Sequence, residues 1–129
     1  MIQELKIKNF KSFRDEVELS FEPSGDDRYN SVVTMPDGVQ LLRFAVVLGA
    51  NASGKSNLLD AVEFLRDFWN SIPVTNDDGT NVQPFLMRKS ALSHDTEFEI
   101  KLYVDGIRYW YQLTVNPEKV CREALFVYL

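Results

Sequence analysis

The sequence predicts an α/β domain in which a mixed or antiparallel β-sheet packs around one amphipathic helix. Three observations support this fold class. An uninterrupted apolar run, residues 44–48, leads into a glycine-rich loop. A helical stripe of apolar residues follows the loop, and two alternating segments near the end of the chain flank an Asp-Gly pair. The length of 129 residues suits a modest core, so we expect a single domain over residues 1–129.

The residues before the loop are expected to form a buried strand. Phe44-Ala45-Val46-Val47-Leu48 contains no polar side chain and is rich in β-branched and aromatic residues. Such a run is typical of a strand that is covered on both faces. We therefore expect this strand to lie inside the sheet and to deliver the chain into the loop.

The residues after the loop predict an α-helix. Apolar side chains recur there at spacings of three and four, which places them on one face of a helix. Pro73 is expected to end the helix, because proline cannot donate the backbone hydrogen bond that a further turn needs. The stripe consists of Leu58, Val62, Leu65, Trp69 and Ile72.

The other strands are predicted by alternation of apolar and polar residues. Residues 97–104 and 107–115 alternate in this way, and Asp105-Gly106 between them favours a hairpin with a type I′ turn. The remaining strands are expected over residues 2–8, 17–21, 31–35 and 124–129.

The loop itself has a direct chemical interpretation. Residues 49–56 read Gly-Ala-Asn-Ala-Ser-Gly-Lys-Ser, a complete match to the G-x-x-x-x-G-K-S/T pattern of a phosphate-binding P-loop, or Walker A motif. Backbone N–H groups in such a loop surround phosphate oxygens, Lys55 reaches the β- and γ-phosphates, and the Ser56 hydroxyl ligates Mg²⁺. An ordinary glycine-rich turn is the alternative, but the predicted strand and helix on either side favour a P-loop.

Nucleotide hydrolysis needs further groups, including an acid that helps to hold Mg²⁺. Asp105 follows an apolar-rich segment, but Lys101 interrupts that segment, and the Asp-Gly turn already explains the aspartate. Asp77 and Asp78 lie in a polar stretch and are expected to be solvated. We therefore assign no catalytic residue and expect the chain alone to be inactive as an ATPase.

Composition and charge argue against several other functions. The net charge of −5 does not indicate a nucleic-acid-binding protein. His94 and Cys121 are the only histidine and cysteine, too few for a zinc site of the usual four ligands. The single cysteine allows no internal disulfide, which is typical of a reducing compartment, so we expect a cytoplasmic protein. We expect neither a signal peptide nor membrane association.

Two segments resemble the N-terminal part of ABC/SMC-like ATPases. The first is Ile7-Lys8-Asn9-Phe10-Lys11-Ser12-Phe13 with the glutamate-rich strand after it, and the second is the loop with Asn57-Leu58-Leu59. Within that group the sequence is most similar to bacterial and archaeal AAA family ATPases related to RecF, to overcoming-lysogenization-defect proteins and to abortive-infection ATPases. The resemblance extends over most of the chain and is strongest at residues 1–22 and 41–69.

The resemblance implies the N-terminal lobe of an ABC-type head, whose C-terminal half supplies the signature motif, the magnesium-binding acid and the catalytic glutamate. Two such heads would enclose two ATP molecules. Lys11 is implied to approach the nucleotide, with a solvated turn lysine as the alternative. Gln83 has the spacing of a glutamine that touches Mg²⁺ in ATP-binding cassettes, with an ordinary loop glutamine as the alternative. The implied phosphate contacts are Gly49, Ala50, Asn51, Ala52, Ser53, Gly54, Lys55, Ser56 and Asn57.

We therefore predict that the chain binds Mg-ATP as part of a larger ATPase, and that hydrolysis requires the C-terminal motifs. The apolar run that ends at Leu129 leads us to expect an incomplete fragment. The resemblance also implies a DNA or defence partner and the choice of ATP over GTP. Two alternatives remain. One is a self-contained P-loop or kinase-like protein with Asp105 or Asp77 as its metal acid. The other is a β-rich interaction module whose P-loop is vestigial.

Overall fold

The computed structural model describes residues 1–25, 31–51, 53–71, 79–88, 90 and 93–128. The predictions at Ala52, Ile72, Pro73, Asp77, Asp78 and Leu129 lie outside this part of the chain. Within it the protein is β-rich, with one α-helix. In chain order the elements are β1 (Ile2–Lys8), β2 (Val17–Ser20), β3 (Val32–Thr34), β4 (Gln40–Leu42), α1 (Lys55–Asn70), β5 (Thr96–Val104), β6 (Ile107–Val115) and β7 (Val120–Tyr128).

Five strands form one antiparallel sheet in the order β2-β1-β5-β6-β7, and β3 pairs with β4 in a separate hairpin. Every described strand pair is antiparallel, so the antiparallel form of the predicted sheet is the one observed. No described helix is long and apolar enough to cross a lipid bilayer.

The core lies between α1 and one face of the sheet. Leu5 and Ile7 of β1 are fully buried there, as are Phe98 and Leu113 of the neighbouring strands. Phe64 of α1 stacks on Phe98 with ring centroids 5.1 Å apart, which ties the helix to the middle of the sheet. The buried residues of α1 are Leu58, Ala61 and Leu65.

The helix prediction is confirmed in position, but the face of the helix that packs on the core is wider than the predicted stripe. Leu58 and Leu65 face the core as predicted, whereas Trp69 is 46% exposed. Its ring meets Tyr111 edge-on, with centroids 5.3 Å apart. Two residues outside the predicted stripe contact the core instead, because Ala61 permits close approach and Phe64 fills the space beside Phe98.

The predicted hairpin is confirmed. Asp105 and Gly106 have φ angles of 50° and 81°, as a type I′ turn requires. Val104 and Ile107 are the last pair of a register that extends over both strands. The predicted strands near residues 2–8, 17–21, 31–35 and 124–129 are also present, whereas the three-residue β4 was not foreseen.

The prediction that residues 44–48 form a buried strand is wrong. The segment has no regular secondary structure, and Phe44, Val46 and Leu48 are 67%, 71% and 86% exposed. A strand buried on both faces needs a place in a sheet whose two faces are both covered by other elements. In the described part of the chain, this segment is paired with no strand. Its apolar composition favours burial, but its side chains remain exposed in the residues that the structure describes.

Strand β7 forms one edge of the five-stranded sheet. It is nine residues long, and eight of the nine are exposed. Apolar side chains lie open on both of its faces, with Leu125 on the face that carries α1 and Phe126 on the other. Phe126 contacts Trp110 of β6 with ring centroids 5.0 Å apart.

Candidate nucleotide-binding site

The described part of the loop turns sharply before it enters α1. The Ser53 amide donates to the Ala50 carbonyl at 3.3 Å, which reverses the chain direction. Gly54 then has a φ of 93°, in the left-handed region, and serves as the N-cap of the helix. The Leu58 amide donates to the Gly54 carbonyl at 3.2 Å and closes the first helical turn. Residues 49–51 and 53–56 are thus curved rather than extended.

The N-terminus of α1 is open to an anion. Gly54 contributes no side-chain cap, and no acidic residue lies in the first turn. The first amides of a helix have no intrahelical acceptor, and the aligned peptide dipoles place partial positive charge at this end. A helix N-terminus without a cap or a nearby carboxylate is suited to a phosphate group.

Lys55 folds back onto the loop. Its Nζ atom donates hydrogen bonds to the carbonyl oxygens of Gly49 and Ala50, both at 2.6 Å. The Ser53 hydroxyl lies 3.4 Å from the same nitrogen. These oxygens occupy positions around the ammonium group that phosphate oxygens could take. The lysine is therefore held within the loop, at its exposed surface.

The two glycines of the motif are restricted to glycine to different degrees and for different structural reasons. A Cβ atom on Gly54 would lie 2.9 Å from both the Phe13 ring and the Ser12 hydroxyl, and its φ disfavours any other residue. A Cβ atom on Gly49 would approach the Ser53 hydroxyl at 2.7 Å, but that side chain can rotate away. Gly54 is therefore the more restricted position.

The turn after β1 packs directly on the start of the helix. The Asn57 side-chain amide donates to the Ser12 hydroxyl at 2.6 Å. One helical turn further on, Lys11 Nζ lies 2.6 Å from Asp60 Oδ2. Contacts of Ser12, Phe13 and Asp60 at the start of the helix were not predicted, because no local pattern indicates that the turn would reach the helix.

The predicted site residues fall into two groups. Residues 49–51, 53 and 54 precede α1, and Lys55, Ser56 and Asn57 are its first three residues; the Ser56 side chain is exposed, and Ala52 is outside the described residues. Lys11 instead pairs with Asp60. Gln83 accepts a hydrogen bond from the Lys11 amide through its backbone carbonyl at 2.9 Å, while its side chain is exposed. No described hydrogen bond links Gln83 to Ser56.

A cavity of about 970 Å³ lies beside α1, between residues 79–83 and the start of β7. Lys11 and Gln83 line it, whereas no described residue of the loop does. Carboxylates of Glu63 and Asp67 lie on its wall. Its acidic lining is unsuited to phosphate, so the cavity and the loop are separate features.

Hydrolysis would also need a metal-binding acid near the loop. Among the residues that the structure describes, no group of three or more His, Cys, Asp or Glu side chains is placed to hold a metal ion. Asp105 occupies the first position of the hairpin turn, where its positive φ accounts for its residue type.

Comparison with known proteins gives one family. The family described as "AAA domain, putative AbiEii toxin, Type IV TA system" matches residues 44–128, which is more than half of the chain. The matched stretch contains the glycine-rich loop, α1 and strands β5, β6 and β7. No curated protein matches the chain.

Proposed function

Because this chain belongs to the AAA-domain family related to the AbiEii toxin, we propose that it binds Mg-ATP through residues 49–57. The observation that carries the proposal is the position of Lys55, whose ammonium group lies on two loop carbonyls beside an uncapped helix N-terminus. Phosphate oxygens would replace these carbonyls as acceptors for the Lys55 ammonium group. They would also accept hydrogen bonds from the backbone amides of the first helical turn.

The metal ion belongs to the same proposal. Ser56 lies in the first turn of α1 with its side chain exposed, where its hydroxyl is available to ligate Mg²⁺. Gln83 is a second candidate ligand by its spacing after the loop, and its side chain is exposed. ATP rather than GTP is proposed from the family, since none of the loop residues reads a base.

Hydrolysis is proposed for a larger assembly rather than for this chain alone. The exposed apolar residues 44–48 support this view, because a strand supplied by the C-terminal half of an ATPase head would cover them. ATP-dependent pairing of two heads, a DNA or defence partner and a cytoplasmic location are part of the proposal and rest on the resemblance.

Calorimetric titration of Mg-ATP and Mg-ADP tests the central proposal. Lys55→Ala removes a charged donor from the phosphates, and such hydrogen bonds contribute roughly 1.5–3 kcal/mol each. We therefore expect the affinity to fall at least ~10-fold. Lys8→Ala is the matched control, because Lys8 is an exposed lysine whose partner is Glu97 on the sheet.

Two results would contradict the proposal. Equal affinities of the wild type and Lys55→Ala would show that the loop does not bind the nucleotide. Absence of both binding heat and thermal stabilisation at millimolar Mg-ATP would favour the alternative of an interaction module with a vestigial loop.

A further inference from the structure

Three consecutive residues of the turn after β1 contact three successive points at the start of α1. The Phe13 ring lies 2.9 Å from the position that a Cβ atom on Gly54 would take. The Ser12 hydroxyl accepts a hydrogen bond from Asn57 at 2.6 Å, and Lys11 pairs with Asp60 at 2.6 Å. The three contacted positions, Gly54, Asn57 and Asp60, are spaced three residues apart. They therefore lie along one face of the helix, beginning at its N-cap.

The turn is itself held firmly to the sheet. Phe10 and Phe13 exchange two backbone hydrogen bonds, at 2.9 and 2.8 Å, with Lys11 and Ser12 at the tip. Asn9 is buried and has a positive φ of 54°. Its side-chain amide donates to the carbonyls of His94 and Asp95 at 2.8 and 3.2 Å, just before β5 begins.

The turn thus connects a rigid part of the sheet to the helix end that would receive the phosphates. Asn57 contributes one of the first amides of α1, and its side chain bonds to Ser12. That bond restricts rotation and fraying of the first helical turn. Leu58, Ala61 and Leu65 already anchor the rest of the helix in the core, so the exposed Ser12 contact is not needed to hold α1 on the sheet.

We propose that the turn Asn9–Phe13 positions the phosphate-binding loop, with Ser12 as the positioning residue, and that nucleotide binding in turn stabilises this turn. The inference rests on the proposed function, because it concerns the geometry of the same site. Ser12 acts through Asn57 and is not assigned a contact with the nucleotide. Thermodynamic coupling is reciprocal. If the Ser12 contact stabilises the loop conformation that binds nucleotide, then bound nucleotide must stabilise the Ser12 contact to the same extent.

The first test compares Ser12→Ala, Ser12→Thr and Ser20→Ala by calorimetric titration with Mg-ATP. Loss of one neutral hydrogen bond that orders the site is expected to weaken binding about fivefold. Ser12→Thr keeps the hydroxyl and should restore most of the affinity. Ser20→Ala is the control, because the Ser20 hydroxyl also accepts one hydrogen bond, from the Glu22 amide at 3.2 Å, but lies next to β1 on β2.

The second test separates positioning from a purely structural role. The thermal midpoint without nucleotide should be nearly the same for Ser12→Ala and the wild type. Saturating Mg-ATP should slow hydrogen exchange at the Lys11 and Phe13 amides of the wild type, and this protection should be reduced in Ser12→Ala. In an Asn57→Ala background, Ser12→Ala should cause no further loss of affinity.

The outcomes distinguish this inference from the proposed function. If Lys55→Ala weakens binding but Ser12→Ala does not, the positioning role is refuted and the site stands. If Lys55→Ala has no effect, the site itself is refuted. If Ser12→Ala lowers the nucleotide-free thermal midpoint and Ser12→Thr fails to restore affinity, Ser12 is structural and the inference is overturned.

Discussion

The Nζ atom of Lys11 lies 2.6 Å from Oδ2 of Asp60, in an ion pair that joins the turn after β1 to the second turn of α1. Both side chains are partly exposed, so the pair is expected to contribute little to stability. Its effect on the site is electrostatic. Asp60 holds a positive charge away from the loop and also adds a negative charge close to the helix N-terminus.

Asp60→Asn is therefore expected to tighten Mg-ATP binding. Asp60 lies five residues beyond Lys55, about 7.5 Å along the helix axis. A unit charge at this distance in water changes the interaction with an anion by roughly 0.6 kcal/mol, or two- to threefold in affinity, at low salt. Calorimetric titration in low-salt buffer measures the change, and Asp67→Asn, further along α1, is the control. A weaker affinity in Asp60→Asn would contradict this account of the charge.

Gly54→Ala should destabilise the protein more than Gly49→Ala. A non-glycine residue in the left-handed region costs about 1–2 kcal/mol, and Gly54 has a φ of 93° with no space for a Cβ atom. The contact at Gly49 involves only a serine hydroxyl, which can move. Urea unfolding without nucleotide gives the two free energies. Equal losses would mean that the conformation at Gly54 does not matter to the fold.

Asp105→Asn is expected to leave both Mg-ATP affinity and stability almost unchanged. Asparagine adopts the positive φ of this turn as readily as aspartate, and Asp105 has no described contact with the loop. Titration and phosphate-release measurements provide the check. Steady ATP turnover by the 129-residue chain, abolished by Asp105→Asn, would instead support the self-contained or kinase-like alternative.

The stability of the protein should depend on Tyr111 at alkaline pH. Burial, together with the hydrogen bond that the Tyr111 hydroxyl donates to Glu123 at 2.7 Å, raises the pKa of this phenol well above its usual value. A raised folded-state pKa stabilises the protein fully below the unfolded pKa of about 10. That contribution is lost as the pH rises further, by at most about 1.4 kcal/mol per pH unit.

Urea unfolding of the wild type and Tyr111→Phe at pH 8 and 11 isolates this effect. The other titrating groups are common to both proteins and cancel in the difference. The wild type should lose its advantage over Tyr111→Phe between these two pH values. A constant difference in unfolding free energy would show that Tyr111 ionises equally in the folded and unfolded states.

Local chemistry explains which elements could be predicted. Asp105-Gly106 specifies its own turn, so the hairpin follows from two residues and the alternation around them. The burial of residues 44–48 depends on strands elsewhere, and an apolar run carries no information about whether a neighbour is present. For the same reason, the apolar stripe of α1 could be predicted but the contact made by Phe64 could not. Phe64 packs on the core because Phe98 of the sheet lies opposite it.

The contacts around the loop were not predictable, because they join residues far apart in the sequence. Ser12 and Asn57 are separated by 45 residues, and Lys11 and Asp60 by 49. A motif identifies the groups that chemistry needs within eight or nine positions. It does not identify the residues that the fold brings beside them. Ser12 belongs to a segment that carries the family resemblance, but nothing in that segment indicates a contact with Asn57.

The edge strand β7 has a practical consequence. In the part of the chain that the structure describes, no strand pairs with its outer side, and its backbone groups there resemble an open template. With Leu125 and Phe126 exposed on opposite faces, we expect concentrated solutions to undergo intermolecular β-pairing and slow precipitation. A charged residue in place of Phe126 would act as a gatekeeper and keep the chain monodisperse for the titrations.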